Sequence, residues 1–96
     1  MSDLHLNLKG IYFDDIKHGN KPFEYRLDNE YWRKRLEGRD YDRVFFKRGY
    51  PKADDKERII CKRYMGYDKQ QIQHDHFGAK PVDVFAIHTT GEEVEF

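Results

Sequence analysis

The sequence predicts a small α+β domain: a mixed sheet of about five or six strands, either open or closed into a β-barrel, with two short helices near the N-terminal half. Three observations predict it. Short runs with period-two alternation recur along the chain, two helical segments with capping signals precede Gly38, and 96 residues leave room for one small hydrophobic core.

The first strand is read from Leu4, Leu6 and Leu8, which alternate with His5, Asn7 and Lys9 and so share a face. A short helix follows over about Ile11–His18. Tyr12 or Phe13 with Ile16 gives its apolar side, Lys17 and His18 suit its last turn, and Gly19 suits the C′ position. The next strand, Lys21–Leu27, alternates again: Phe23, Tyr25 and Leu27 form the face expected to be buried, Glu24 and Arg26 the other. Asp28 is an acceptable N-cap for a second helix, with Leu27 and Trp32 spaced as a hydrophobic staple. Lys34 and Arg35 suit its last turns, Gly38 lies just beyond, and Trp32 and Leu36 share a side. Tyr41–Tyr50 and Arg58–Tyr67 flank the polar loop PKADDKE and predict a long hairpin. The segment QHDHFG reads as a polar loop before the last strand, DVFAIHTT, Asp83–Thr90. No repeat, linker or low-complexity segment divides the chain, which predicts one domain over residues 1–96.

The chain is 38% charged yet 16% aromatic, and the aromatic content argues against disorder because these side chains bury the most area. A formal net charge of zero supplies no overall basic pull. The distribution is uneven: Tyr31–Lys52 holds eight Lys or Arg against Glu37, Asp40 and Asp42, while Asp83, Glu92, Glu93 and Glu95 stand beyond Pro81 without a cation. Cys61 is the sole cysteine, so no internal disulfide forms and a reducing cytoplasm is the expected setting. No signal-peptide pattern is present, and the longest apolar run, Val84–Ile87, is far short of the roughly 20 residues a membrane helix needs. The expectation is a soluble protein without a membrane partner, of unassigned oligomeric state.

The stretch HGNKPFEYRLD, His18–Asp28, carries the densest chemistry. Glu24 and Arg26 share a face by parity, whereas Lys21 does not. Pro22 lacks an N–H and suits a strand start or bulge, and Gly19–Asn20 provides a turn able to swing Lys21 onto the charged side. Two cations would then flank one carboxylate, leaving a spare positive charge suited to a phosphate or a polarised carbonyl. The plainer alternative is an ion pair that braces helix against strand.

At Gly19, Lys21, Glu24 and Arg26 the chain resembles the ASCH family, a branch of the PUA-like folds, whose mark is G-x-K-x-x-E-x-R after a first strand and short helix. LNLKGIYFDDIKHG supplies that context, and YDRVFFKRGYP and DVFAIHTT resemble the family's central hairpin and final strand. The resemblance implies a β-barrel with a cleft beside the motif that accepts RNA or a nucleobase-like ligand. Lys21, Glu24 and Arg26 are carried over as cleft residues, with Gly19 as the turn that presents them. Similar proteins include small amidohydrolases acting on acylated cytidine, with a threonine nucleophile at the position held here by Glu24. This chain has no hydroxyl there, which counts against that activity.

Two functions are weighed. In the first, a non-catalytic domain binds RNA or a nucleotide-like small molecule, holding phosphates on Lys or Arg and stacking bases on aromatics. Trp32, Arg33, Lys34, Lys47 and Arg48 are its candidates beyond the motif, and Tyr31, Tyr41, Phe45 and Tyr50 are further aromatics in the same basic segment, although core filling is the commonest job of such residues. In the second, a hydrolase or nuclease uses Glu24 as general base, with Lys21 or Arg26 stabilising developing negative charge. Two adjacent cations weaken a carboxylate as a base. No cofactor is implied. His74 and His76 have an H-x-H spacing, but no cysteine or carboxylate set of matching spacing completes a metal site. His88 reads as a satisfied strand-end histidine and Cys61 as a small buried filler. Lys62, Arg63 and Tyr64 extend the basic surface or keep a strand edge soluble.

Overall fold

A computed structural model describes residues 2–75 and 78–96. Its elements in chain order are β1 (Asp3–Leu8), α1 (Gly10–Lys17), β2 (Phe23–Leu27), α2 (Glu30–Leu36), β3 (Arg43–Arg48), β4 (Ile59–Arg63), β5 (Tyr67–His74) and β6 (Gly78–His88), with a 3₁₀ turn at Lys56–Arg58 before β4. The six strands form two three-stranded sheets, β1-β3-β4 and β2-β6-β5. The first is mixed, because β1 runs parallel to β3 while β3 and β4 form the predicted antiparallel hairpin. The second is antiparallel throughout. No ladder joins the two sheets among the described residues, so the expected closure into a β-barrel is not found.

The three leucines of β1 are buried and meet Phe13 and Ile16 of α1, Leu36 of α2, Val44 and Phe46 of β3, and Phe85 and Ile87 of β6 in one core. The other face of the mixed sheet carries a smaller cluster, Phe45, Ile59 and Cys61, covered in part by Val94 and Phe96. The C-terminal segment reaches there by lying along β4: Arg63 N–H donates to the Glu92 carbonyl and Val94 N–H to the Cys61 carbonyl, at 2.9 and 3.0 Å.

Helix α1 ends as its sequence predicts. Gly19 takes φ +75°, and its N–H and that of Asn20 reach back to the carbonyls of Ile16 and Asp15, the paired bonds that close a helix C-terminus through a left-handed glycine. Helix α2 starts one residue later than expected. Asn29, not Asp28, is the N-cap, its side-chain oxygen accepting from the Trp32 N–H at 3.0 Å. The Asp28 carboxylate is drawn away by Arg33 at 2.7 Å and Lys69 at 3.0 Å.

Two other expectations are corrected. Residues 67–74 are a strand rather than the end of one strand followed by a loop. This edge strand is read as polar because Asp68, Lys69, Gln71 and Gln73 are all exposed, and the arm it forms with β6 runs past the part of β6, Val84–His88, that pairs with β2. His74 therefore belongs to β5, and His76 lies outside the described residues. The burial of β2 is the reverse of its apolar pattern: Glu24 is buried, Phe23 and Tyr25 are half-buried and Leu27 is exposed. In the antiparallel ladder Glu24 faces Ile87 and Arg26 faces Phe85, so the charged pair takes the core-side face of the sheet.

Candidate functional site

The outer strands of the two sheets, β1 and β2, border a cleft of about 500 Å³. Its wall includes Asn7 and Leu8 of β1, Lys9 and Tyr12 at the start of α1, Lys21, Glu24, Tyr25 and Arg26 around β2, and Tyr31 and Trp32 of α2, with His5 and Tyr50 also present.

The floor is built around Glu24, whose side chain is 5% exposed. Arg26 Nη1 donates to Glu24 Oε2, and Lys21 Nζ stands 3.6 Å from Oε1. Both cations are themselves mostly covered, at 17% and 16% side-chain exposure. A carboxylate taken this far from water needs such partners, because an isolated buried charge costs several kcal/mol or more. The turn at Gly19–Asn20 and Pro22 brings Lys21 to the carboxylate, as the glycine and proline placement suggests. Pro22 lies just before the strand, and Lys21 is thereby free of strand parity.

Each cation is also held from the side. The Lys21 ammonium lies 5.1 Å from the centre of the Tyr12 ring and 4.9 Å from that of Tyr25. The Arg26 guanidinium lies 5.2 Å from the Trp32 ring centre. Arg26 further donates to the carbonyl oxygens of Tyr25 and Asn7, both at 3.0 Å. The bond to Asn7 ties the outer strand of one sheet to the other sheet where no ladder does.

Thr89, which no sequence signal singled out, fixes the turn from behind. It and Glu24 are the two buried polar residues among those described. Its hydroxyl donates to the Lys21 carbonyl, its N–H to the Pro22 carbonyl at 3.0 Å, and its own carbonyl accepts from Lys62 Nζ at 2.6 Å.

The rim is aromatic and open. Tyr50 is 91% exposed, unusually free for a side chain that ordinarily supplies buried area, and Tyr31 is 54% exposed with the Arg35 guanidinium 3.4 Å from its ring centre. His5, an exposed residue of β1, stacks on Phe45 with ring centres 4.8 Å apart, and the water it loses there, aided by the charges of Lys47 and Arg43, lowers its pKa below the usual histidine value. The cleft wall holds three cations, Lys9, Lys21 and Arg26, against one carboxylate, Glu24.

Of the residues singled out from sequence, Lys21, Glu24, Arg26 and Trp32 meet in the cleft. Gly19 shapes the preceding turn without lining it. Arg33 is drawn to Asp28 and Lys34 to Glu30 at 3.3 Å on the exposed side of α2. Lys47 sits on β3 beside Asn7 in the parallel register, outside the cleft wall. Arg48 pairs with Asp14 at 3.5 Å and covers Gly10, where its guanidinium would lie 2.5 Å from an added Cβ. Tyr41 and Phe45 pack away from the site, Tyr41 edge-on against Tyr64 and Phe45 within the small core. Sequence reasoning missed Tyr12 and Tyr25 as cleft residues, and both were legible only as members of an apolar pattern. Among the described residues no group of three or more His, Cys, Asp or Glu is placed to hold a metal ion, and no helix is long and apolar enough to cross a membrane.

Comparison with models of protein families, with curated proteins and with solved structures gives no significant match.

Proposed function

We propose that this chain is an ASCH-type, PUA-like domain that binds RNA or a nucleotide-like ligand in the cleft between β1 and β2. On this reading the two sheets are the walls of an opened barrel, and the Arg26 side chain bridges the gap that a ladder would otherwise close. The observation that carries the proposal is the convergence of Lys21, Glu24 and Arg26 on the floor of an open cleft of about 500 Å³ with an aromatic rim. Clefts of a few hundred to about 1,000 Å³ suit small ligands, and bases stack on exposed aromatic rings while phosphates meet Lys and Arg.

The catalytic alternative has less support. A general base needs a carboxylate oxygen open to the proton it removes. In Glu24 one oxygen accepts from Arg26 and the other faces Lys21. The triad therefore serves as a fixed charged floor.

Fluorescence anisotropy with a short single-stranded RNA tests the proposal. Binding is expected at low salt and is expected to weaken steeply as salt rises, as phosphate contacts require. Lys21→Ala and Arg26→Ala should each weaken it. Absence of binding at low salt, or binding indifferent to salt, removes the proposal. Turnover of RNA or acylated nucleosides, lost in a folded Glu24→Gln variant, would replace it with the enzyme reading.

A further inference from the structure

The cleft's charge balance narrows the ligand beyond a general affinity for nucleic acid. Lys9, Lys21 and Arg26 face one carboxylate, Glu24, so the wall carries an excess of two positive charges. An internal phosphodiester brings one negative charge, whereas a phosphomonoester brings about 1.5 to 2 at neutral pH, together with three strong acceptor oxygens. We propose that this cleft takes a terminal phosphomonoester, on a free nucleoside monophosphate or on the phosphorylated end of a strand, in preference to an internal phosphodiester. The inference rests on the nucleotide-binding reading above and specifies which phosphate that site prefers.

The donors fit this chemistry. Arg26 has five N–H donors, and its bonds to Glu24, Tyr25 and Asn7 use three of them. The rest are left for a ligand, on a guanidinium already held in place by Trp32. Lys21 is a point charge with three donors, steadied by two tyrosine rings and a carboxylate at 3.6 Å rather than consumed by a close ion pair. Lys9 is exposed at the same wall and adds charge without being tied to the triad. Glu24 sets the limit on how much negative charge is welcome: it leaves two of the three positive charges uncompensated. Tyr50, exposed on the rim, offers a ring face to the attached base, while Tyr31 beside it already carries the Arg35 guanidinium 3.4 Å from its ring centre.

The test compares short single-stranded RNAs of one sequence carrying a 5′-phosphate, a 3′-phosphate or hydroxyls at both ends. Competition by a nucleoside 5′-monophosphate and by its parent nucleoside is measured alongside. One added charge-assisted hydrogen bond is worth on the order of tenfold in affinity. A phosphorylated end should therefore bind about tenfold tighter than the hydroxyl-ended strand, the monophosphate should displace it, and the nucleoside should not. Lys9→Ala changes an exposed residue and should shrink the difference between phosphorylated and hydroxyl-ended strands. Equal affinity for both kinds of strand overturns the preference while leaving nucleic-acid binding intact. Failure of every RNA to bind at low salt instead removes the reading on which the preference rests.

Discussion

Replacing Glu24 by Gln should make the protein less stable and its cleft a stronger anion trap. The amide keeps the shape of the carboxylate and one acceptor for Arg26, but it leaves Lys21 and Arg26 beside each other at 17% and 16% exposure without their shared counter-ion. Removing one partner of a buried ion pair costs about 3–5 kcal/mol, and the residual access of both cations to water points to the lower figure. A loss of about 3 kcal/mol is a large share of the roughly 5–15 kcal/mol that holds a domain folded. Binding should move the other way, because the wall goes from two excess positive charges to three. At an effective dielectric near 20, a unit charge about 8 Å from a phosphate contributes about 2 kcal/mol before salt screens it, on the order of tenfold or more at low salt. Urea unfolding reports the first effect, and anisotropy with a phosphorylated RNA, under conditions in which the variant is folded, reports the second. Stability within about 0.5 kcal/mol of the parent would show that the three groups are not a coupled buried cluster. Weaker RNA binding by a folded variant would refute the charge argument.

Three further outcomes are expected. Tyr64 has the one buried side-chain polar atom without a hydrogen-bond partner among the described residues, and burial pushes its pKa up to about 12. Tyr64→Phe should raise stability in urea unfolding by about 1 kcal/mol. Because the folded-state value lies above the ordinary 10.0, the parent should lose stability as pH rises from 10.0 towards about 12, and the variant should lose less; a less stable variant contradicts this. Thr89→Val should cost about 1 kcal/mol and weaken RNA binding by loosening the Lys21–Pro22 turn, whereas Thr89→Ser, which keeps the hydroxyl, should restore both; a serine variant no better than valine would show that the methyl matters instead. His5 has its pKa lowered from 6.5, so its contribution is fully present above pH 6.5 and is lost as pH falls through the lower folded-state value. A pH series of unfolding midpoints should show that slope in the parent and less of it in His5→Phe, which keeps a ring against Phe45; equal slopes would exclude His5 as its source.

Much of the fold was legible because local signals and burial agreed. The β1 leucines, the Gly19 stop of α1 and the β3–β4 hairpin each combine a periodic apolar pattern with a turn residue suited to it, and each lies where expected. β5 was hidden for the opposite reason. An edge strand exposed on much of its surface has no need of apolar alternation, and its pairing with β6 rests on backbone bonds that carry no residue signature. The start of α2 shifted by one residue because two neighbouring cap formers compete, and Arg33 and Lys69 settle the competition by occupying Asp28. Neither lysine nor arginine announces such a partner in the sequence.

The site was legible as a set of cleft residues, but the face of β2 that carries them was not. Period-two alternation in β2 assigns the core side to Phe23, Tyr25 and Leu27, and ordinary burial preferences support that assignment. The ladder to β6 gives the core side to Glu24 and Arg26 instead. The inversion is possible because β2 is an outer strand whose inner face opens into the cleft before it reaches the apolar core, so the charges there can neutralise one another and still meet water at 16–17% exposure for the two cations. It also releases Tyr25 to stand against Lys21 with Tyr12. A strand whose charged residues face inward sacrifices hydrophobic burial along one side of a small domain, in which each buried large side chain is worth about 1.5–3 kcal/mol. A surface brace could be built from the same ion pairs on the outer face at no such cost. On the binding reading proposed above, the inward placement leaves room for a ligand beside Lys21, Glu24 and Arg26, and it also lets Arg26 brace β2 against β1 through the Asn7 carbonyl.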